Sequence, residues 1–296
     1  MSRMKASDFH PHVLKLFDQY VHGALDRRGF LRQASRYAVG GITATALLDS
    51  LSPNFAWAVQ VEESDGRVQA SRVEYPSPQG SGTMQGYLAV PTQGEQKLPA
   101  IVVYHENRGL NPYIEDVARR LATEGYMAFA PDALAPQGGY PGDEDKARAM
   151  FADLDQVKTL EDLFAAVDFI KGHERFNGRY GAIGFCYGGG VVNKLATRRS
   201  DLAAGVPFYG PQPTEKDAAN ISSPLLLHFA QNDERMNAGW PAFEQVLKKN
   251  SVDYQAYFYD GTHHGFHNDT TPRYDEDAAK LAWRRTLEFF DKHLKQ

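Results

Sequence analysis

Apolar residues near the start of the chain recur at helical spacing. The stretch 6–20, ASDFHPHVLKLFDQY, opens on a Ser-Asp start signal and predicts a helix. Residues 59–70 turn polar and read as a linker or the approach to a first strand. Segments 71–75 and 83–90 then alternate with period two, which predicts an antiparallel pair at one sheet edge with 76–82 as its turn. From residue 99 onward, short apolar runs alternate with amphipathic stretches. Strands are predicted at 100–104, 126–131, 180–185, 203–209, 224–230 and 254–259. Helices are predicted at 113–124, 143–173, 187–199, 238–249 and 276–294. Such alternation defines an α/β chain, with a mainly parallel twisted sheet, helices on both faces and an N-terminal helical extension. The connections 131–145 and 210–223 are too long for simple turns. They should rise over the carboxyl ends of the strands, where Tyr140, Tyr209 and Trp240 are candidate pocket walls.

Chemistry enters at the only cysteine, Cys186, in the run GFCYGGG at 184–190 directly after a predicted strand. Glycines at 184 and 188 make this a G-x-C-x-G form of the nucleophile elbow, a strand-to-helix turn that presents a nucleophile above a sheet. The next helix begins beneath the sulfur, and its dipole favours thiolate there. A lone cysteine is otherwise most often a buried, inert side chain. Elbow enzymes carry an acid and then a histidine further along the chain. Asp233 follows the strand at 224–230, and His264 follows the strand at 254–259. Asp233 also suits a helix cap. His263, His264 and His267 form a cluster that could in principle hold a metal, although no other ligand group stands at motif spacing.

Five stretches together resemble the dienelactone hydrolase (carboxymethylenebutenolidase-like) family of the α/β-hydrolase fold. They are VVYHENRGL at 102–110, GYMAFAPD at 125–132, GFCYGGG at 184–190, Asn232-Asp233 and HGF at 264–266. The resemblance covers about residues 70–294 and implies hydrolysis of lactone or carboxylic ester bonds by Cys186, Asp233 and His264, through a thioester. It also implies that Glu106 hydrogen-bonds the resting thiol, and that the amides of Asn107 and Tyr187 form the oxyanion hole. Family members carry an arginine four residues after the histidine to grip a substrate carboxylate; Asn268 stands there in this chain. Arg108, Arg148 and Arg273 are alternative carboxylate partners, each otherwise expected as a surface charge.

Composition narrows the rest. With 296 residues, 42% of them hydrophobic, the chain can bury one α/β domain, taken as 59–296. A net charge of −5 supplies no basic stripe for nucleic acid, and no apolar run is long enough to span a membrane. A single cysteine excludes an internal disulfide. No cofactor is implied, and the expected partner is a small ester or lactone. Residues 1–58 have two readings. They form a retained helical extension of a cytoplasmic protein, or a twin-arginine leader to the periplasm built on DRRGFLR at 26–32, the apolar run 37–48 and AWA at 56–58. The functional alternatives are a broad-range carboxylesterase or thioesterase, a non-catalytic binding module on the same scaffold, and a redox-sensing thiol protein.

Overall fold

A computed structural model describes residues 4–38, 43–94 and 96–295. Three N-terminal helices come first: α1 (Pro11–Val21), α2 (Arg27–Ala34) and α3 (Ala44–Leu51). Eight strands follow: β1 (Val68–Ser77), β2 (Gly82–Pro91), β3 (Leu98–Tyr104), β4 (Met127–Pro131), β5 (Phe176–Phe185), β6 (Ala204–Phe208), β7 (Leu225–Asn232) and β8 (Tyr254–His263). They form one sheet in the order β1-β2-β4-β3-β5-β6-β7-β8. The β1–β2 and β2–β4 pairs are antiparallel, and the other pairs run parallel. Interleaved with the strands are α4 (Pro112–Thr123), α5 (Glu144–Ala152), α6 (Gln156–Lys171), α7 (Tyr187–Arg198), α8 (Glu215–Ala218), α9 (Glu234–Asn237), α10 (Trp240–Lys249) and α11 (Glu276–Leu294).

Because side chains alternate across a strand, the central strands feed two cores. Ala100, Val102 and Tyr104 of β3 face α5, α6, α7 and α10, whereas Ile101 and Val103 face α4 and α11. This fixes the register of β3 between its neighbours. The predicted helix at 143–173 is in fact two. It breaks at Asp153-Leu154-Asp155, where the Asp155 carboxylate accepts the amides of Val157 and Lys158 and starts α6 afresh. The connection at 210–223 holds the short α8.

The N-terminal segment packs around its own apolar cluster, with Phe9, Val13, Leu16, Phe17, Tyr20, Phe30, Leu48 and Leu51 buried. It is also tied to the sheet domain. Arg148 donates to the Tyr20 carbonyl at 2.8 Å, Asn107 Nδ2 donates to the Val21 carbonyl at 3.0 Å, and Arg27 pairs with Asp145 at 2.8 Å. Residues 60 and 61 are also engaged, since the Asp116 carboxylate accepts the amides of Gln60 and, at 2.9 Å, Val61. Of the predicted 59–70 linker, then, the first residues are anchored and the last belong to β1. Residues 39–42 of the apolar run 37–48 lie outside the described residues.

The tightest packing lies where β5 passes into α7. A Cβ on Gly188 would sit 2.1 Å from the Tyr104 carbonyl oxygen, and one on Gly184 would sit 2.1 Å from the Gly188 oxygen. Both obstacles are backbone and cannot rotate away. Gly188→Ala should therefore destabilise the protein by on the order of 3 kcal/mol or prevent folding. Gly66→Ala, where a Cβ meets nothing within 4 Å, should stay within about 0.5 kcal/mol. Chemical denaturation followed by circular dichroism distinguishes the two; equal midpoints would contradict the packing argument.

Candidate active site

The sulfur is placed by backbone strain. Cys186 has φ 54° and ψ −112°, in the left-handed region that a non-glycine residue rarely enters, and its amide donates to the Phe208 carbonyl at 3.1 Å. This conformation lifts the side chain out of the strand line and sets it at the N-terminus of α7, while remaining buried. Tyr187 is the first residue of α7, so its amide belongs to the turn that lacks intrahelical acceptors. Asn107 lies in the loop after β3. Its side chain is held at both ends, with Nδ2 on the Val21 carbonyl and Oδ1 accepting from Arg108 at 2.7 Å. That grip fixes the backbone whose amide was predicted to face an oxyanion.

Asp233 and His264 stand at the ends of the neighbouring strands β7 and β8. His264 Nδ1 lies 2.5 Å from Asp233 Oδ2. The other carboxylate oxygen of Asp233 caps α9 by accepting the Met236 amide at 3.3 Å, so its cap role and its histidine role coexist. With Nδ1 directed at the carboxylate, His264 Nε2 is the free face. It is buried and has no hydrogen-bond partner among the described residues. One ligand-type atom each of His264, Cys186 and His22 lie within 4.8 Å of one another. His22 was not anticipated. It follows α1, and its Nε2 lies 3.4 Å from the Cys186 sulfur.

Electrostatics couple these groups. Burial alone would push the Cys186 thiol up, but the charges of His264 and His22 outweigh it and hold the thiol well below its ordinary value. Burial would depress His264; the Cys186 anion and the Asp233 hydrogen bond overcome that and push it up to about 10. Glu106 is held above the usual carboxylate range by its own burial and by the neighbouring Cys186 charge. Its Oε2 accepts from Asn268 Nδ2 at 2.9 Å. Asn268 therefore stands in the family's arginine position and orients the glutamate.

Two of the three arginines expected at the surface line the site instead. Arg108 and Arg273 are buried and border the same cavity as Cys186, Glu106, His264 and Asn268. Arg108 approaches Glu144 at 3.4 Å, and Arg273 lies over the Phe17 ring at 5.1 Å. Arg148, half-buried, spends its guanidinium on the Tyr20 ring and carbonyl. Each covers apolar surface of the N-terminal segment, which is why burial was possible. Of the predicted walls, Tyr209 packs against the His264 ring at 4.9 Å. Tyr140 bonds Glu144, and Trp240 lies against Phe229 on another face of the sheet.

The histidines at 263–267 diverge. His267 meets the Tyr113 hydroxyl at 2.7 Å in an aromatic core, where burial lowers it to about 3, and His263 is half-buried beside Pro11 and Leu14. Among the described residues, the group with metal-type ligand atoms in reach of one another is His22, Cys186 and His264. Sequence reasoning also missed His105. Its Nε2 accepts the Ala133 amide at 3.1 Å, and its Nδ1 lies 2.5 Å from the Glu106 carbonyl, bracing the loop that carries Glu106.

A mainly parallel sheet with a strained nucleophile turn and an Asp–His pair beyond the next strands defines an α/β-hydrolase. The chain belongs to the dienelactone hydrolase family, whose profile matches residues 84–294. A "YqhI-like" family profile matches residues 1–39. "Protein usf" of Aquifex pyrophilus is 35% identical over 71% of this chain and 94% of its own. A "Putative carboxymethylenebutenolidase" of Aquifex aeolicus is 32% identical over 72% of this chain and 94% of its own. The crystal structure of a "Putative Dienelactone Hydrolase" from Klebsiella pneumoniae superposes with a TM-score of 0.67 at 26% identity, covering 76% of this chain and 99% of that one. Among the described residues, no helix is long and apolar enough to cross a membrane.

The charge beside the sulfur is testable without a substrate. Glu106→Gln removes an anion that disfavours thiolate, so the midpoint of the pH profile for Cys186 alkylation should move lower still. An unmoved midpoint would mean that Glu106 carries no charge at rest.

Proposed function

We propose that this hydrolase cleaves lactone or carboxylic ester bonds by nucleophilic catalysis at Cys186. The observation that carries the reading is the convergence of the strained Cys186 with an unpartnered, buried Nε2 of His264 whose Nδ1 is fixed by Asp233. In this reading the sulfur attacks the carbonyl carbon, and the amides of Asn107 and Tyr187 receive the oxyanion. The C–O bond then breaks to leave a thioester. Water deprotonated at His264 hydrolyses that thioester and returns the cysteine. Glu106, oriented by Asn268, opposes when ionised the thiolate that His264 and His22 favour.

Substrate class follows from the cavity wall. Arg273 is buried there, and its Nε and Nη1 have no hydrogen-bond partner among the described residues. A small lactone or ester bearing a carboxylate would satisfy it, with Arg273 acting in place of the arginine absent at 268. Relatives named "Putative carboxymethylenebutenolidase" and "Probable 2-oxo-3-(5-oxofuran-2-ylidene)propanoate lactonase" are consistent with that class. We also read residues 1–58 as retained on a cytoplasmic protein, because Arg27 is committed to Asp145 and the Ala58 carbonyl to Arg120.

One experiment addresses these points together. One equivalent of iodoacetamide should abolish hydrolysis of a lactone and aryl-ester panel. The intact mass should then equal the full chain plus one carbamidomethyl group, placed on residue 186. His264→Ala should lower turnover by at least about 100-fold, with His263→Ala and His267→Ala costing far less. Activity surviving stoichiometric labelling would remove Cys186 from the mechanism, and a mass short of the leader would contradict retention.

A further inference from the structure

We infer that His22, supplied by the N-terminal segment, is a second catalytic base of Cys186, with Asp18 behind its other ring nitrogen. The inference deepens the hydrolase reading and rests on it. Asp18 lies one helical turn before His22. His22 Nδ1 is 2.7 Å from the Asp18 carbonyl oxygen and 3.1 Å from its Oδ1. His22 Nε2 is 3.4 Å from the sulfur, in hydrogen-bond contact with the reacting atom. The two imidazole rings meet edge to face, with centroids 4.8 Å apart. The sulfur thus meets two imidazoles in contact with each other, brought from opposite ends of the chain.

The tautomer is fixed by the neighbours. Asp18 offers only acceptors to Nδ1, so that nitrogen carries the proton. Arg235 Nη2 lies 2.9 Å from Nε2, and a guanidinium can only donate, so the single lone pair of Nε2 is shared between Arg235 and the sulfur. The charged and titratable groups facing the ring are Asp18 on α1, Cys186, His264 and Arg235, with Arg273 behind Asp18 at 3.9 Å. The ring therefore has an aspartate behind one nitrogen and the sulfur within reach of the other. The end of α1 is held in place from the sheet domain, where Asn107 and Arg148 bond the carbonyls of Val21 and Tyr20. The base arrives on a fixed element.

Two bases allow the proton transfers to be divided. In acylation the S–H proton passes to His22 Nε2 as sulfur bonds to the carbonyl carbon. When the C–O bond breaks, that proton goes to the leaving alkoxide, giving the alcohol. In deacylation His264 Nε2 takes a proton from water, hydroxide adds to the thioester, and the C–S bond breaks. The departing thiolate recovers the proton from His264, so ester and water have become acid and alcohol with the enzyme unchanged.

Pre-steady-state hydrolysis of an activated aryl ester tests this on the full chain. The burst of phenol reports acylation, and the decay of the accumulated thioester reports deacylation. His22→Ala should slow the burst by about tenfold or more while leaving thioester decay unchanged. Asp18→Asn, which keeps the shape, should slow the same phase by less. A faster burst in His22→Ala would show that His22 merely blocks the sulfur, and equal slowing of both phases would show a structural role. Either result overturns the inference while Cys186-dependent turnover leaves the hydrolase reading intact. Full turnover by Cys186→Ala would bring down both.

Discussion

The left-handed turn at Cys186 is the constraint on which the site depends. A cysteine at φ 54° is held against its own preference, and it stays there because the surroundings leave no alternative. Its amide is committed to Phe208 on β6, and the glycines on either side let α7 cross the ends of β3 and β6 at backbone contact distance. The strain is offset by the two apolar cores that clamp β5 between β3 and β6. In return the sulfur is buried at a helix N-terminus, with an imidazole of one Asp–His pair on one side and a second imidazole on the other. Relaxing the turn would move the sulfur away from every one of those partners at once.

Much of this was legible in the residues. Period and turn chemistry located all eight strands, because a parallel sheet covered on both faces demands short apolar runs. The elbow was legible because its glycines answer a steric requirement that no other residue meets. Asp233 and His264 were legible by position, each just past a strand end. The break between α5 and α6 was harder to read, since Asp155 looks like one more polar position in an amphipathic run and acts through the amides it caps. Arg108 and Arg273 were misplaced for a related reason. Charge predicts exposure, and only the tertiary fold shows an aromatic N-terminal segment for those side chains to cover.

His22 and Asp18 show where local reading stops. Their spacing of four marks only one face of a helix, and nothing in their own stretch points to a cysteine 164 residues away. The link is carried by Tyr20 and Val21, whose carbonyls at the end of α1 are held by Arg148 and Asn107. Asn107 is also a predicted oxyanion donor, so the same residue orients the N-terminal segment and the oxyanion site. The extension that resembled a leader is thereby tied to the sheet domain beside Cys186.

The central claim is that Cys186 carries the acyl group, and trapping that intermediate tests it most directly. Acid quenching during turnover of a slow aryl ester, followed by peptide mass spectrometry, should find the acyl mass on the peptide containing residue 186. The adduct should be lost on hydroxylamine treatment, as a thioester is, and Cys186→Ala should show neither adduct nor turnover. An adduct on another residue, or full turnover by Cys186→Ala, would contradict the account.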